Sequence, residues 1–177
     1  QDPGRRLAAG RHHHARAAAL LGAAAVTTDA DDIAPWTTDW RNLYHGQAAA
    51  LVSPASTEQV QAVLSIAARH SIPVVPQGGN TSMVGGATPD SSGHAIIVSL
   101  RRMNAIRALD PDSGIVVAEA GVILSNLHDI TRDRGMRFPL SLGAEGSCTI
   151  GGNLSTNAGG TSALAYGVAR DLVLGLE

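Results

Sequence analysis

The stretch VVPQGGNTSMVGG, residues 74 to 86, places four glycines, Gln77, Asn80, Thr81 and Ser82 directly after a short apolar run, and it carries no positive charge. The apolar residues behind Pro73 read as a short buried strand. The glycines then fall at a strand's carboxyl end, where open α/β sheets bind their ligands. Successive backbone N–H groups in a glycine-bearing turn converge on an anion. Gly78 and Gly79 allow positive φ and a close approach that a Cβ would obstruct. Asn80, Thr81 and Ser82 add neutral donors, so a pyrophosphate held here needs no Lys or Arg. Taken alone, such a loop is equally a tight turn. A second stretch, GAEGSCTIGGNLSTNAGG at 143 to 160, repeats the composition.

Working outward, AAALV (48–52) is a candidate strand closed by Pro54. STEQVQAVLSIAARH follows as a helix: Ser56 and Gln59 have capping-box spacing, and Val60, Val63, Leu64 and Ala67 mark one apolar face. Strand, helix and the parallel strand before the first loop make one crossover unit. Downstream, HAIIVSL, AIRALD and GIVVAEA are three further strands, the last two joined by the turn DPDSG at 110–114. ILSNLHDITRDRG (123–135) is a second helix with Ile123, Leu127 and Ile130 on its apolar side and Gly135 at C′. LVLGLE reads as the start of a strand with nothing after it, so the chain looks cut.

The totals narrow the function. A hydrophobic fraction of 44% and a net charge of −2 describe an ordinary globular protein. Aromatics at 3% argue against base-stacking platforms, and no basic run marks a nucleic-acid footprint. The chain contains no Lys, which rules out a Walker P-loop and a Schiff-base lysine in this segment. No two glycines are spaced i, i+2, so the G-x-G-x-x-G turn is absent. Cys148 is the only cysteine, which leaves no internal disulfide and no multi-cysteine zinc site, and fits a reducing cytoplasm. No apolar run reaches the length of a membrane span. ARAAALLGAAAV (15–26) reads as an Ala-rich helix broken at Gly22 in preference to a signal peptide, and HHH at 12–14 as a solvated stretch rather than a metal site.

The two glycine segments, their order and the intervening strands resemble the p-cresol methylhydroxylase/vanillyl-alcohol oxidase type of FAD-binding domain. Within it the chain is similar to the branch that holds D-2-hydroxyglutarate dehydrogenase, D-lactate dehydrogenase and the FAD-binding component of glycolate oxidase. The likeness is carried by TDW (38–40), VSPASTEQV, PVVPQGGNTSMVGGATP, GIVVAEAGVIL, FPLSLGAEGSCTIGGNLSTNAGG and YGVARDLVLGLE, from about Ala17 onward. It implies an α+β fold: an N-terminal helix and irregular lead-in over 1–47, a first FAD-binding subdomain over 48–122, and the start of a truncated second one over 123–177. A C-terminal substrate domain would be missing, and a weaker second part is expected.

Carried over by position, the resemblance implies FAD contacts at Pro76, Gln77, Gly78, Gly79, Asn80, Thr81, Ser82, Gly85 and Gly86. The second set is Pro139, Leu142, Gly143, Gly146, Ser147, Ile150, Gly151, Gly152, Asn153, Thr156, Gly159 and Gly160. The residues themselves support the glycines and small polar groups. Pro139, Leu142 and Ile150 read equally as loop packing. Some relatives carry a flavin-linked histidine in the first loop, where this chain has Asn80, and others a cysteinyl link from a G-x-C segment. GSC is followed by TIGG, spaced differently, so Cys148 reads as a half-buried structural thiol and FAD as non-covalently bound.

The implied reaction is oxidation of a D-2-hydroxy acid by hydride transfer to flavin N5, with electrons passed to a quinone or flavoprotein carrier. No catalytic residue and no metal ligand is assigned. Other readings are another FAD-linked oxidase of the same fold, acting on a sugar lactone, alcohol or cell-wall precursor, and a non-catalytic nucleotide-binding module. His128 and Asp129 read as a solvated helix face, Asp39 and Arg41 as a surface pair, and Glu119 has no assigned role.

Overall fold

The computed structural model describes residues 22–177. The His run at 12–14 and most of the Ala-rich stretch lie outside the described residues. The residues divide into two compact units, parting after Arg102. The division falls ahead of the 106–118 hairpin.

The first unit is built on a four-stranded sheet of β1 (Val26–Thr27), β2 (Ala50–Val52), β3 (Val74–Gln77) and β4 (Ile96–Ser99), in the order β1-β2-β4-β3. β2 and β3 both run parallel to β4, and β1 is antiparallel to β2. The crossover from β2 to β3 thus spans one place, which β4 fills. Ala50, Val52, Ile96 and Val98 pack with Val63 and Ala67 of the helix, while Leu51 and Ile97 pack with Ile33. β2 and β4 are buried on both faces, which their unbroken apolar runs require in a parallel arrangement. Ile97 is wholly buried, worth roughly 1.5–3 kcal/mol for its side chain. β3 is an edge strand, and this is what tolerates Pro76 within it.

Between Val26 and β2 run a four-residue helix, α1 (Ala30–Ile33), capped by Asp29, and a 3-10 turn at Ala34–Trp36. The main helix, α2 (Thr57–Arg69), begins at Ser56, whose hydroxyl accepts from Gln59 N–H at 3.3 Å. The Gln59 side chain reaches back to Ala55 N–H at 2.7 Å, one residue before the N-cap. Val63 and Ala67 face the core as expected, but Leu64 is exposed. The buried stripe needs only the small and β-branched residues that fit against a short sheet.

The second unit opens with the antiparallel hairpin β5 (Ile106–Asp110) and β6 (Ile115–Ala118). Asp110 closes its turn by accepting from Asp112 N–H, Ser113 N–H and the Ser113 hydroxyl. These bonds, the Ser113 hydroxyl foremost, hold the Asp110 carboxyl below its ordinary range. Glu119 accepts from Ala105 N–H at 2.8 Å, so its role is to close the open end of the hairpin.

α3 (Leu124–Arg132) buries Leu124, Leu127 and Thr131, whereas Ile130 is exposed. The stripe is turned from the expected Ile123, Leu127 and Ile130. Thr131 can be buried because its hydroxyl donates back to Leu127 O at 2.9 Å. Gly135 has φ +70°, with Gly135 N–H donating to Arg132 O and Met136 N–H to Thr131 O, the paired bonds of a glycine-terminated helix. Two short helices follow, α4 (Ile150–Ser155) and α5 (Ala163–Tyr166), then a 3-10 turn at Ala169–Leu172. LVLGLE does not form the expected strand: Val173 is extended, but among the described residues no neighbouring strand pairs with it.

Candidate functional site

β3 delivers the first glycine segment at its carboxyl end. Gln77 is buried, and its Nε2 donates to Trp36 O at 2.9 Å and Ala87 O at 2.8 Å, bracing the two ends of the loop. Left-handed backbone falls at Asn80 (φ 53°) and Gly85 (φ +70°), and Gly78 and Gly79 do not adopt it. Asn80 tolerates this region as few non-glycine residues do, and its Nδ2 donates to Thr38 O at 2.8 Å. Gly85 lies beneath the Tyr44 ring, where an added Cβ would come within 3.0 Å. Among the described residues, no protein acceptor meets the N–H groups of residues 79–83. Five consecutive free donors with a left-handed residue among them can converge on an anion. This donor set fits the phosphates of a dinucleotide.

The sequence missed the frame around this loop. Asp39, read as half of a surface pair, is buried. Its carboxylate accepts from Leu43 and Tyr44 N–H at 2.7 Å each and from Arg41 N–H at 3.3 Å, with the Arg41 Nε at 3.7 Å. The residues between are wound around one carboxylate, which is why an acid can be buried there. Arg41 in turn donates through Nη2 to Met83 O at 2.6 Å. Arg101 donates through Nε to Gly78 O at 3.0 Å and lies 4.7 Å over the Trp36 ring. The loop has no cation of its own, yet two guanidinium groups hold its ends. Separations of 42 and 23 residues leave no local signal for either.

The bond from Tyr44 N–H, with those from Leu43 and Arg41, holds the Asp39 carboxyl below its ordinary range. A depressed folded-state pKa stabilises above the unfolded value of about 3.9, and that contribution is lost as pH falls through the folded value. The two tryptophans of the chain, Trp36 and Trp40, flank this carboxylate in sequence. Their fluorescence is expected to be flat from pH 7 to about 5 and to change only below about pH 4. Asp39→Asn is expected to abolish that transition, and a transition centred between about pH 5 and 6 in the wild type would contradict the assignment.

In the second unit, Leu142, Ala144, Ile150 and Leu154 pack against a core of Leu124, Leu140, Cys148 and Ala169. Gly151 N–H donates to Ala120 O at 2.8 Å, and a Cβ on Gly151 would come within 2.8 Å of the Ala120 Cβ. Gly160, φ +119°, runs so close to Ser141 that any Cβ would overlap the Ser141 carbonyl oxygen. Both glycines are required by close backbone approach. The N–H groups of Gly143, Gly146, Gly152, Gly159 and Gly160 meet no protein acceptor among the described residues, and the buried Thr149 Oγ1 has no partner. Ser147 and Thr156 are exposed, and Thr156 Oγ1 donates to Gly152 O.

Cys148 is buried, more deeply than expected, and desolvation pushes its thiol up, while the buried Asn153 Nδ2 has no hydrogen-bond partner among the described residues. His128 is half-buried rather than on a solvated face: its Nε2 lies 2.8 Å from Leu140 O, and Nδ1 lies 3.7 Å from Glu145. Asp129, adjacent on α3, points elsewhere and pairs with Arg132. No described helix is long and apolar enough to cross a membrane.

A glycine loop of free donors at a parallel strand's end is the arrangement that suits an anionic ligand. Residues 48–177 match the model of the FAD binding domain family. The chain belongs to that family, whose cofactor is FAD. It is 43% identical over 152 residues, 86% of its length, to the mitochondrial D-2-hydroxyglutarate dehydrogenase of Bos taurus, and spans 28% of that relative. It is 40% identical to the D-2-hydroxyglutarate–pyruvate transhydrogenase of Saccharomyces cerevisiae, over 83% of this chain and 29% of that one. The solved structure of p-cresol methylhydroxylase with substrate bound superposes with a TM-score of 0.72 at 26% identity, covering 84% of this chain and 30% of that one. The expected α+β FAD-binding fold is thereby met.

Proposed function

We propose that the chain is the cofactor-holding part of a flavin-dependent dehydrogenase that oxidises a D-2-hydroxy acid such as 2-hydroxyglutarate, lactate or glycolate. The observation that carries the cofactor role is the run of free N–H groups at residues 79–83. The likeness to the bovine dehydrogenase supports the substrate class. When bound, FAD supplies the acceptor for the substrate's α-hydrogen, taken as hydride at flavin N5. The chain's own residues bind and orient. The peptide groups of 79–83 hold the pyrophosphate.

On this reading, the side chains of Gln77 and Asn80 shape the loop rather than touch the ligand, because both are bonded to backbone carbonyls. FAD is held without a covalent bond: Asn80 offers no imidazole, and a buried Cys148 thiol with a raised pKa is a poor nucleophile. The electrons leave to a quinone or flavoprotein carrier. The lone thiol suits a reducing compartment, and we place the protein in the cytoplasm. The bovine relative's name assigns that protein to the mitochondrion, and cell fractionation decides between the two.

The test is anaerobic mixing of the FAD-loaded complete protein with D-2-hydroxyglutarate, D-lactate and glycolate. Bleaching of the visible flavin band by one of these, and not by its L enantiomer where one exists, is the expected result. Bleaching only by a sugar lactone or simple alcohol would move the protein to another activity of the same fold. No bleaching by any substrate, with ADP bound as tightly as FAD, would mark a non-catalytic nucleotide-binding module.

A further inference from the structure

The tethers on the first glycine loop share one property: each engages a carbonyl or a side chain, and none consumes a loop N–H. Arg101 takes Gly78 O, Arg41 takes Met83 O, and the loop's own Gln77 and Asn80 side chains reach out to the carbonyls of Trp36, Ala87 and Thr38. A trans peptide is planar, with its C=O and N–H pointing in opposite directions. A guanidinium holding Gly78 O therefore aims Gly79 N–H the other way, whereas the one holding Met83 O anchors the peptide that leaves the run, whose Val84 N–H donates to Ser82 Oγ. A cation on the carbonyl also polarises its peptide, which strengthens the N–H as a donor. Asp39 completes the device, since its carboxylate shapes the turn from which Arg41 extends.

We propose that Arg41 and Arg101 are positioning residues for the cofactor loop, holding its two ends by their carbonyls so that the N–H groups of residues 79–83 face an anionic ligand. This rests on the reading of that loop as the pyrophosphate site. It gives the loop its missing positive charge without placing a cation on the phosphate. Neither arginine is assigned a contact with substrate or flavin.

The experiment compares Arg41→Met, Arg101→Met, the two lysine variants and Gly79→Val in the complete protein. FAD and ADP dissociation constants are measured beside the thermal midpoint of the apoprotein. Each Met variant loses one charge-assisted hydrogen bond, so both dissociation constants are expected to rise about tenfold. The thermal midpoint is expected to move by no more than about 2 °C. Lysine, which still reaches a carbonyl with one donor but without the planar fork, is expected to recover part of the loss.

If Gly79→Val abolishes FAD binding while both Met variants stay within about twofold of wild type, the positioning role is wrong and the loop assignment stands. If Gly79→Val retains FAD, the loop assignment itself fails and the proposal falls with it. Should Arg41→Met not fold, Arg101→Met decides, because Arg101 is exposed and its removal leaves the core intact. A fall in thermal midpoint with unchanged affinity of the folded fraction would reduce both arginines to structural ties.

Discussion

Gly160→Ala is expected to lower stability by about 3 kcal/mol, the combined size of an overpacked contact and a strained left-handed residue. The added Cβ would overlap the Ser141 carbonyl oxygen and come within 3.0 Å of the Leu142 side chain, at a φ of +119°. Neither neighbour can yield easily: Ser141 O accepts from Thr161 N–H, and Leu142 packs on the second unit's core. Gly159→Ala is the control, because its Cβ would meet only Val168 at 3.9 Å. That change is expected to stay within about 0.5 kcal/mol. Chemical denaturation of both variants checks the pair, and equal effects would mean that the approach of residues 159–161 to Ser141 is not as described.

Asn80→Val is expected to weaken FAD binding about thirty- to hundredfold, with the fold retained. A β-branched residue in the left-handed region costs roughly 1–2 kcal/mol, and the lost bond to Thr38 O adds about 1 kcal/mol. The loop would relax by turning its peptide groups, which redirects the five N–H groups. Asn80→Gly keeps the dihedral and loses only the tether, so about a fivefold loss is expected. Titration of the apoprotein with FAD, followed by flavin fluorescence, reads both. Equal affinities for wild type and Asn80→Val would show that the backbone at residue 80 does not shape the site.

Local chemistry explains what the sequence made legible. The Ser56 cap, the Asp110 turn and the Gly135 helix end each follow from one residue's own backbone preference, and each stands where the pattern placed it. The glycine loops were visible for the same reason, and the FAD fold was legible through the family resemblance that they and the flanking segments carry. The less legible features depend on partners far away in sequence. Leu64 and Ile130 carry the right spacing for a core face, yet the short sheet and the back-bonded Thr131 left them exposed. LVLGLE has strand-forming residues, and among the described residues no strand pairs with it.

The candidate site shows the same split. Gly78 and Gly79 drew attention as the flexible positions, but the left-handed turn was taken by Asn80, whose side chain could be anchored on Thr38. Asp39 and Arg41 looked like any exposed pair, because nothing local announces that three N–H groups will close over a carboxylate. Arg41 and Arg101 reach the loop only through the fold, and no motif contains either of them.

The central claim, a cofactor held by backbone donors and no covalent bond, is tested most directly by the visible spectrum of the purified complete protein before and after acid precipitation. Flavin bands that pass entirely into the supernatant, with the mass of FAD, are the predicted result. Colour that stays with the pellet would mean a covalent link and would contradict the roles given to Asn80 and Cys148. A protein that remains colourless after incubation with FAD would contradict the claim altogether.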